Sequence, residues 1–296
     1  MFYVFKKNIH ILSFFVMPII FFLIINAFDK KEMFLFCSPA FAEKNEVKLK
    51  TKPCSLLILN TMPKSGSMHI SKSLAKILST TVEAISYNYF PTDTIDYFKV
   101  KSLAEGNKII VTQTHINPSV NNMQTQSKFC DKIMLHVRHP LQATLSMIHN
   151  NDMHIEKGSI DLLYYLAPAP PKESYNWSLE NKIDWYIENY LPSLNSWLLE
   201  WMTYIEKSKK SKPKFKILVT DYRELKKDEI KFFTKLLNFY DIPFDNGQYI
   251  PLNKDKTTHF RKGLEDEWKT VFSAVQIKRA KTKIDPKVLK YFGWKI

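Results

Sequence analysis

Short apolar runs alternate with helical patterns over most of this 296-residue chain. Residues 56–59, 108–112, 131–137 and 215–219 are apolar enough for buried strands, and residues 82–87 form a shorter candidate. Such strands, separated by helices, are typical of a parallel sheet that is covered on both faces. The pattern therefore predicts one α/β domain, and about 240 residues are enough to bury its core.

The first apolar run leads through the turn PKSGS, residues 63–67, into a helical pattern. In a strand–turn–helix unit the loop amides and the helix N-terminus point at an anion, and Lys64 adds a positive charge. The lysine precedes the glycine here, whereas a Walker A loop has the order G-x-x-x-x-G-K-[ST]. The turn alone is equally compatible with a plain strand-to-helix connection that carries an exposed lysine.

Four polar residues, Lys64, His115, Arg138 and Tyr222, follow the carboxyl ends of predicted strands. In open parallel sheets, ligands bind just beyond these ends. We therefore expect the four side chains to converge on one edge of the sheet, where they form a site for an anionic ligand.

Two helical patterns lie beyond these strands. Pro140 suits the first turn of a helix, and Ser146 then falls two turns along, where it can join Arg138 in binding one anion. Residues 179–207 have an amphipathic pattern that predicts one long helix with a kink at Pro192. We interpret the apolar side of this helix as core packing, and acceptor binding is the alternative.

The N-terminus is the most apolar part of the chain. Residues 9–28 are long enough to cross a bilayer as a helix, and lysines at both ends leave its orientation open. We predict a signal anchor over residues 1–28, a polar stem over 29–52 and a catalytic domain over 53–296. The alternatives are an export signal cleaved after Ala40-Phe41-Ala42 and a buried soluble helix.

Composition narrows the ligand class. The formal net charge is +14, from 43 Lys and Arg against 29 Asp and Glu. A basic balance suits polyanionic partners, although a lysine-rich solvated surface gives the same total. No dense basic block is interleaved with aromatic residues, so nucleic acid is not a predicted partner. Three scattered cysteines and the absence of CxxC or HExxH patterns predict neither a disulfide framework nor a metal site.

Five segments resemble motifs of sulfotransferases that use 3′-phosphoadenosine-5′-phosphosulfate (PAPS). PKSGS is similar to the 5′-phosphosulfate loop, and RHPLQATLS, residues 138–146, is similar to the 3′-phosphate motif. QTHINP, residues 113–118, resembles the K-T-H-x-P segment, with glutamine in place of the lysine. The segment HFRKGLEDEWK, residues 259–269, resembles R-K-G-x-x-G-D-W-K. Together with DYREL, residues 221–225, which is similar to Y-E-D-L, these motifs occur in the family's order.

The resemblance implies a three-layer α/β fold, similar to P-loop NTPases, with a parallel sheet flanked by helices and preceded by an N-terminal membrane helix. It also implies PAPS as co-substrate without a metal, His115 as general base, and Lys64 as the stabiliser of charge on the leaving oxygen. The implied cofactor-binding residues are Lys64, Ser65, Gly66, Ser67 and Met68 for the 5′ end, Arg138, Ser146, Arg261, Lys262 and Gly263 for the 3′ end, and Tyr222 and Phe260 for adenine.

The sequence differs from the family pattern at two places. Met68 and His69 replace the second threonine and the tryptophan of the loop, so adenine has to stack elsewhere, with Phe260 as the candidate. Asp266 and Glu267 replace a glycine and an aspartate, which removes a glycine from a position that can require positive φ.

The alternatives to a sulfotransferase are a kinase-like phosphotransferase and a non-catalytic, membrane-tethered nucleotide-binding protein. The acceptor is expected to offer a hydroxyl or amine, on a carbohydrate or a small molecule. The expected location is a membrane with a single N-terminal anchor, of Golgi type in a eukaryote, or outside the cytosol after signal cleavage.

Overall fold

A five-stranded sheet with the strand order β2-β3-β1-β4-β5 forms the centre of the computed structural model. All four neighbouring strand pairs are parallel. The strands are β1 (Leu56–Thr61), β2 (Val82–Ala84), β3 (Ile110–Thr114), β4 (Lys132–Val137) and β5 (Lys216–Asp221). The structure describes residues 55–106, 108–158, 170–210, 216–245, 247, 249, 251 and 263–296, and all of them belong to one compact unit, Thr51–Ile296.

Helices flank this sheet and connect its strands. They are α1 (Ser67–Ile77), α2 (Tyr97–Glu105), α3 (Val120–Phe129), α4 (Pro140–Glu156), α5 (Leu179–Asn189), α6 (Leu191–Lys209), α7 (Tyr222–Lys227), α8 (Glu229–Phe239), α9 (Trp268–Val271), α10 (Ala274–Thr282) and α11 (Pro286–Phe292), with a 3₁₀ turn over Lys172–Asn176. The predicted α/β fold with a parallel sheet is confirmed, and each predicted strand is present with its ends shifted by a few residues.

The middle of the sheet is the most deeply buried part of the fold. All side chains of β1 and β4 are buried, whereas β2 is a short edge strand and β5 is partly exposed. From β1 the chain moves to β2 and β3 on one side, and it then crosses to β4 on the other. This reversal makes β1 the topological switch point, and ligands bind beyond the carboxyl ends of the strands at such a point.

Side-chain caps mark most helix starts, because they pair amides that have no partner within a helix. α1 and α4, which follow the two central strands, begin differently. Gly66 and His139 occupy their N-cap positions, and neither makes a side-chain cap hydrogen bond. The N-termini of both helices open beside the switch point. The helices with side-chain caps begin after Asp96, Ser119, Ser178, Asp221, Asp228, Ser273 and Asp285.

The prediction of one helix over residues 179–207 is wrong, because the segment forms two helices, α5 and α6, that meet at Tyr190. Pro192 lies in the first turn of α6, where its missing amide hydrogen costs nothing. Within a continuous helix the same proline would remove a hydrogen bond and clash with the preceding turn. The proline therefore starts a new helix instead of kinking a long one.

The predicted membrane segment and stem, residues 1–52, lie outside the described residues. In the part of the chain that the structure describes, no helix is both long and apolar enough to cross a bilayer. The anchor, the stem and the exact domain bounds stay predictions.

Cys130, at the end of α3, is disulfide-bonded. The other two cysteines of the chain, Cys37 and Cys54, lie outside the described residues. The sequence predicts no disulfide framework, and a single disulfide at Cys130 does not amount to one.

Candidate active site

The loop after β1 is a preformed turn. The Ser65 hydroxyl donates to the Met62 carbonyl at 2.6 Å, and the Met62 amide donates to the His136 carbonyl at 2.8 Å. Lys64 and Gly66 both have left-handed backbones, with φ of 61° and 95°. A left-handed lysine costs about 1–2 kcal/mol. Such strained residues cluster at ligand sites, where the surrounding structure holds them in place.

Amides at the start of α1 point out of this loop. No backbone carbonyl within the described residues accepts a hydrogen bond from the amide of Gly66, Ser67 or Met68. Three free N–H groups at a helix N-terminus form an anion site, because the helix dipole adds a partial positive charge there. The loop and the helix start can therefore bind one phosphate or sulfate group.

Glycine is required at position 66 for two reasons. Its φ of 95° is unfavourable for any residue with a Cβ. A Cβ placed there would also lie 3.1 Å from Cε2 of Tyr222 and 3.6 Å from Cδ2 of Leu225. The loop and the start of α7 thus approach each other as closely as their backbones and rings allow.

Arg138, directly after β4, links three separate segments. Its guanidinium donates to the Lys64 carbonyl at 2.9 Å and to the Leu264 carbonyl at 2.7 Å. The guanidinium carbon lies 4.0 Å from the ring centroid of Tyr222, within the range of a cation–π contact. Arg138 is also nearly buried, so its charge acts in a poorly solvated environment.

Lys64 reaches from the loop towards α4. Its ammonium donates to Oδ1 of Asn150 at 2.6 Å. Burial, together with the neighbouring Arg138 guanidinium, lowers the pKa of Lys64 from 10.5 to about 8. Both effects disfavour the charged form, and an anion bound beside the two cations would oppose them by favouring the charged ammonium.

His115 follows β3 and lies across the sheet edge from this loop. Its Nδ1 is 2.6 Å from the Thr61 carbonyl oxygen, which can only accept a hydrogen bond, so Nδ1 carries the proton. In the neutral ring Nε2 then has the lone pair, as a general base requires. Burial lowers the pKa of His115, while the Thr61 carbonyl and the charge of Asp93 act in the opposite direction. The Tyr89 ring packs edge-on against the imidazole at 4.9 Å.

The main chain of His115 is fixed by residues that sequence reasoning missed. The Asp93 carboxylate accepts from the His115 amide at 2.8 Å and from the Thr114 hydroxyl at 2.9 Å. The Trp197 indole donates to the carbonyls of His115 and Ile116 at 3.1 and 2.9 Å. Asp93 precedes His115 by 22 residues and Trp197 follows it by 82, so no local motif joins them.

His136 is a second missed residue, buried in β4 beneath the loop. Its Nε2 donates to the Ser65 carbonyl at 3.0 Å, and its Nδ1 is 2.8 Å from the Thr220 hydroxyl. Burial lowers the pKa of His136 to about 4, so the ring is neutral at pH 7. A neutral imidazole here supports the loop without adding another charge.

A cavity of about 310 Å³ adjoins Arg138 and Tyr222. The C-terminal segment forms one of its walls, where Arg223 pairs with Asp221 and donates to the carbonyls of Phe292 and Gly293. The Trp294 indole donates to the same aspartate at 3.0 Å. The other lining residues include His139, Glu265, Asp266, Lys269 and Lys295.

The remaining predicted site residues divide into three groups. Ser146 is half-buried on α4, two turns after Arg138. Gly263 has φ of 62°, whereas Asp266 has no positive φ, so the lost glycine at position 266 strains nothing in this structure. Phe260, Arg261 and Lys262 lie outside the described residues.

Met68 and His69, the two loop residues that differ from the family pattern, have different surroundings. Met68 is half-buried in the first turn of α1. His69 lies with Nε2 at 3.2 Å from a carboxylate oxygen of Glu229 on α8. The described residues contain no group of three His, Cys, Asp or Glu side chains that could hold a metal ion.

Comparison with known proteins identifies the family behind this geometry. The model of the sulfotransferase domain matches residues 55–292. A mouse sulfotransferase complexed with PAP is 21% identical with a TM-score of 0.51, over 80% of this chain and 87% of that chain. Retinol dehydratase in complex with androsterone and the inactive cofactor PAP is 15% identical with a TM-score of 0.52, over 82% of each chain. No curated protein sequence matches the chain significantly.

Proposed function

Because the sulfotransferase domain spans residues 55–292, the chain belongs to the sulfotransferase family, and we propose that it transfers the sulfuryl group of PAPS to an acceptor hydroxyl or amine. PAPS carries a phosphosulfate at one end and a 3′-phosphate at the other, so its site needs positively charged groups at both ends. The solved sulfotransferase and retinol dehydratase structures contain PAP, the product that PAPS leaves after transfer.

One observation carries the proposal: Arg138 binds the carbonyl of Lys64 at 2.9 Å, directly beside the free amides at the start of α1. The two cations and the amides lie at the switch point of a parallel sheet, where a bisphosphorylated nucleotide can span them. This strand–loop–helix unit is also why we retain the finer prediction of a three-layer, P-loop-NTPase-like arrangement.

We assign the cofactor contacts on this basis. The 5′-phosphosulfate binds Lys64 and the loop residues Ser65, Gly66, Ser67 and Met68. The 3′-phosphate binds Arg138, Ser146 and the segment that contains Arg261, Lys262 and Gly263, and adenine lies near Tyr222 and Phe260. This assignment explains why Arg138, which can bind phosphate bidentately, stands at the end of β4.

The chemical step is an in-line displacement at sulfur. The acceptor oxygen or nitrogen attacks the sulfur atom, the bond from sulfur to the 5′-phosphate oxygen breaks, and PAP leaves. Nε2 of His115 takes the acceptor proton, and Lys64 with the loop amides stabilises the charge that develops on the leaving oxygen. Positioning and electrostatic stabilisation supply the rate, as in related group transfers.

The acceptor and the compartment complete the proposal. We retain a carbohydrate or small-molecule acceptor, because His115 lies beside the Tyr89 ring, and aromatic rings pack well against the apolar faces of such molecules. We also propose that the domain faces an oxidising compartment, tethered by residues 9–28 or released by cleavage. The disulfide at Cys130 supports this location, since such bonds persist outside the reducing cytosol.

The first experiment is calorimetric titration of the full chain with PAP and, separately, with ATP and Mg²⁺. Wild type, Lys64→Ala and Arg138→Ala are compared with Lys235→Ala, which removes an exposed lysine of α8 that pairs with Glu224 on α7. We expect PAP to bind wild type and Lys235→Ala, and to bind both site variants at least tenfold more weakly.

Turnover is measured next, with labelled PAPS and a panel of hydroxyl and amine acceptors. Transfer of label that requires the acceptor supports the proposal. Preference for ATP over PAP would instead favour the kinase-like alternative. PAP binding without transfer to any acceptor, unchanged in a His115→Ala variant, would favour a non-catalytic nucleotide-binding protein.

A further inference from the structure

Asp93 is a buried carboxylate on the loop between β2 and α2, and it is only 2% exposed. One of its oxygens, Oδ2, accepts both hydrogen bonds described above, from the His115 amide and the Thr114 hydroxyl. The other oxygen, Oδ1, has no hydrogen-bond partner among the described residues. A buried acceptor left without a donor is costly, so its position calls for an explanation.

The negative charge of Asp93 is not neutralised by a nearby cation. No lysine or arginine of the described segments forms an ion pair with it; the described pairs join other carboxylates. Its two hydrogen bonds come from neutral donors. Because the carboxylate is buried, its charge is weakly screened and acts on a titratable neighbour.

That neighbour is His115. The other titratable groups around the imidazole are Tyr89, from the same loop as Asp93, and Lys64, from the loop after β1. A proton on His115 is disfavoured by Lys64 and favoured by Asp93. Asp93 is therefore the one carboxylate among these described neighbours that can balance the positive charge that His115 gains as a base.

We propose that Asp93 is a positioning residue of the transfer reaction, which fixes the main chain of His115 and stabilises its imidazolium. The inference rests on the proposed function, in which the proton moves from the acceptor to Nε2 of His115 while the sulfur–oxygen bond to PAP breaks. Asp93 touches neither the acceptor nor the cofactor in this proposal, in which the acceptor proton is held by His115.

The test compares Asp93→Asn with Asp96→Asn. The first keeps an oxygen that accepts from the His115 amide but removes the charge. The second removes the same charge three residues along the loop, at the N-cap of α2, without contact to His115. The pKa of His115 is followed by NMR of histidine-labelled protein, with His115→Asn to assign its signal.

We expect Asp93→Asn to lower the pKa of His115 by about one unit, as the loss of one nearby opposite charge does. The acid limb of the kcat profile should move to lower pH by the same amount, and kcat at pH 7 should fall about tenfold, within the range of general-base catalysis. PAP binding should not change. Asp96→Asn should match wild type in all these respects.

Equal pKa values of His115 in wild type and Asp93→Asn would overturn the inference, as would a ring that stays neutral in both down to the lowest pH at which they fold. If Asp93→Asn fails to fold, Thr114→Val serves instead. It removes a donor to the carboxylate, so it should raise the pKa of His115, and an unchanged or lower value would contradict us.

The NMR titration does not depend on turnover. A shifted pKa in a protein that transfers no sulfuryl group would therefore refute the proposed function and leave the electrostatic link between Asp93 and His115 intact. Sulfuryl transfer with an unchanged pKa of His115 would support the proposed function and refute the electrostatic link between Asp93 and His115.

Discussion

The Arg138 guanidinium donates a hydrogen bond to the Lys64 carbonyl at 2.9 Å, across 74 residues of sequence. This bond joins the ends of the two central strands, β1 and β4. It brings the cation proposed for the 3′-phosphate into contact with the loop proposed for the 5′-phosphosulfate. The two halves of the proposed nucleotide site are therefore linked by a direct hydrogen bond, and changes at either residue should affect both.

Arg138→Lys should separate charge from geometry at this position. Lysine keeps the positive charge but cannot make two parallel hydrogen bonds, and charged hydrogen bonds contribute about 1.5–3 kcal/mol each. We expect PAP to bind about 10- to 100-fold more weakly by calorimetry. ADP, which lacks the 3′-phosphate, should lose less affinity. An equal loss for both nucleotides would mean that Arg138 supports only the loop.

His115→Asn should abolish transfer while preserving the local fold. The asparagine amide can still donate to the Thr61 carbonyl, as Nδ1 of His115 does at 2.6 Å, but it offers no base. We expect kcat to fall by about 10²- to 10⁴-fold, the usual contribution of a general base. PAP affinity and melting temperature should stay near the wild-type values. A variant with more than a tenth of wild-type kcat would exclude His115 as the base.

The sequence pattern predicted the elements that carry the site better than the contacts that hold it. Strand ends are local features, so the positions of Lys64, His115 and Arg138 beyond β1, β3 and β4 followed from apolar runs alone. The sequence predicted a kink at Pro192 where the structure has a break at Tyr190, because Pro192 suits a helix start as well as a kink.

The supporting residues could not have been found in the same way. His136 has the spacing of an ordinary buried strand residue, and its bond to the Ser65 carbonyl spans 71 positions. Asp93 lies in a loop without a repeating pattern, and only the fold brings it to the amide of His115. Such contacts depend on which strands become neighbours, and one sequence does not contain that information locally.

Lys64→Met should change how stability depends on pH. The pKa of Lys64 is about 8 in the folded protein against 10.5 for the free side chain, so the unfolded chain binds more protons between these values. Wild type should therefore gain stability as pH rises from about 8 to 10.5, because folding no longer buries a charge. The variant should lack this gain.

Melting temperatures measured across that pH range check this prediction. Lys72→Met is the matched control, because Lys72 is an exposed lysine on α1 of the same loop–helix unit. The melting temperature of Lys72→Met, plotted against pH, should run parallel to that of wild type. PAP binding should weaken in Lys64→Met alone. If the gap between wild type and Lys64→Met is constant from pH 7 to 10.5, Lys64 does not titrate in this range.

Gly66→Ala tests the close approach between the loop and α7. An added Cβ would meet Cε2 of Tyr222 at 3.1 Å, and the residue would keep a φ of 95°. Gly158→Ala is the control, because its φ is 71° but nothing lies within 4 Å of its Cβ. We expect Gly158→Ala to lower the free energy of unfolding by about 1 kcal/mol from backbone strain alone.

Gly66→Ala should cost about 1–3 kcal/mol more than this control, since its Cβ overpacks a tight contact. It should also weaken PAP binding, because Tyr222 supports the Arg138 guanidinium at 4.0 Å from its ring. Chemical denaturation gives the first quantity and calorimetry the second. If the two glycine variants unfold at the same denaturant concentration and bind PAP equally, the contact with Tyr222 does not shape the loop, and positive φ alone explains the glycine.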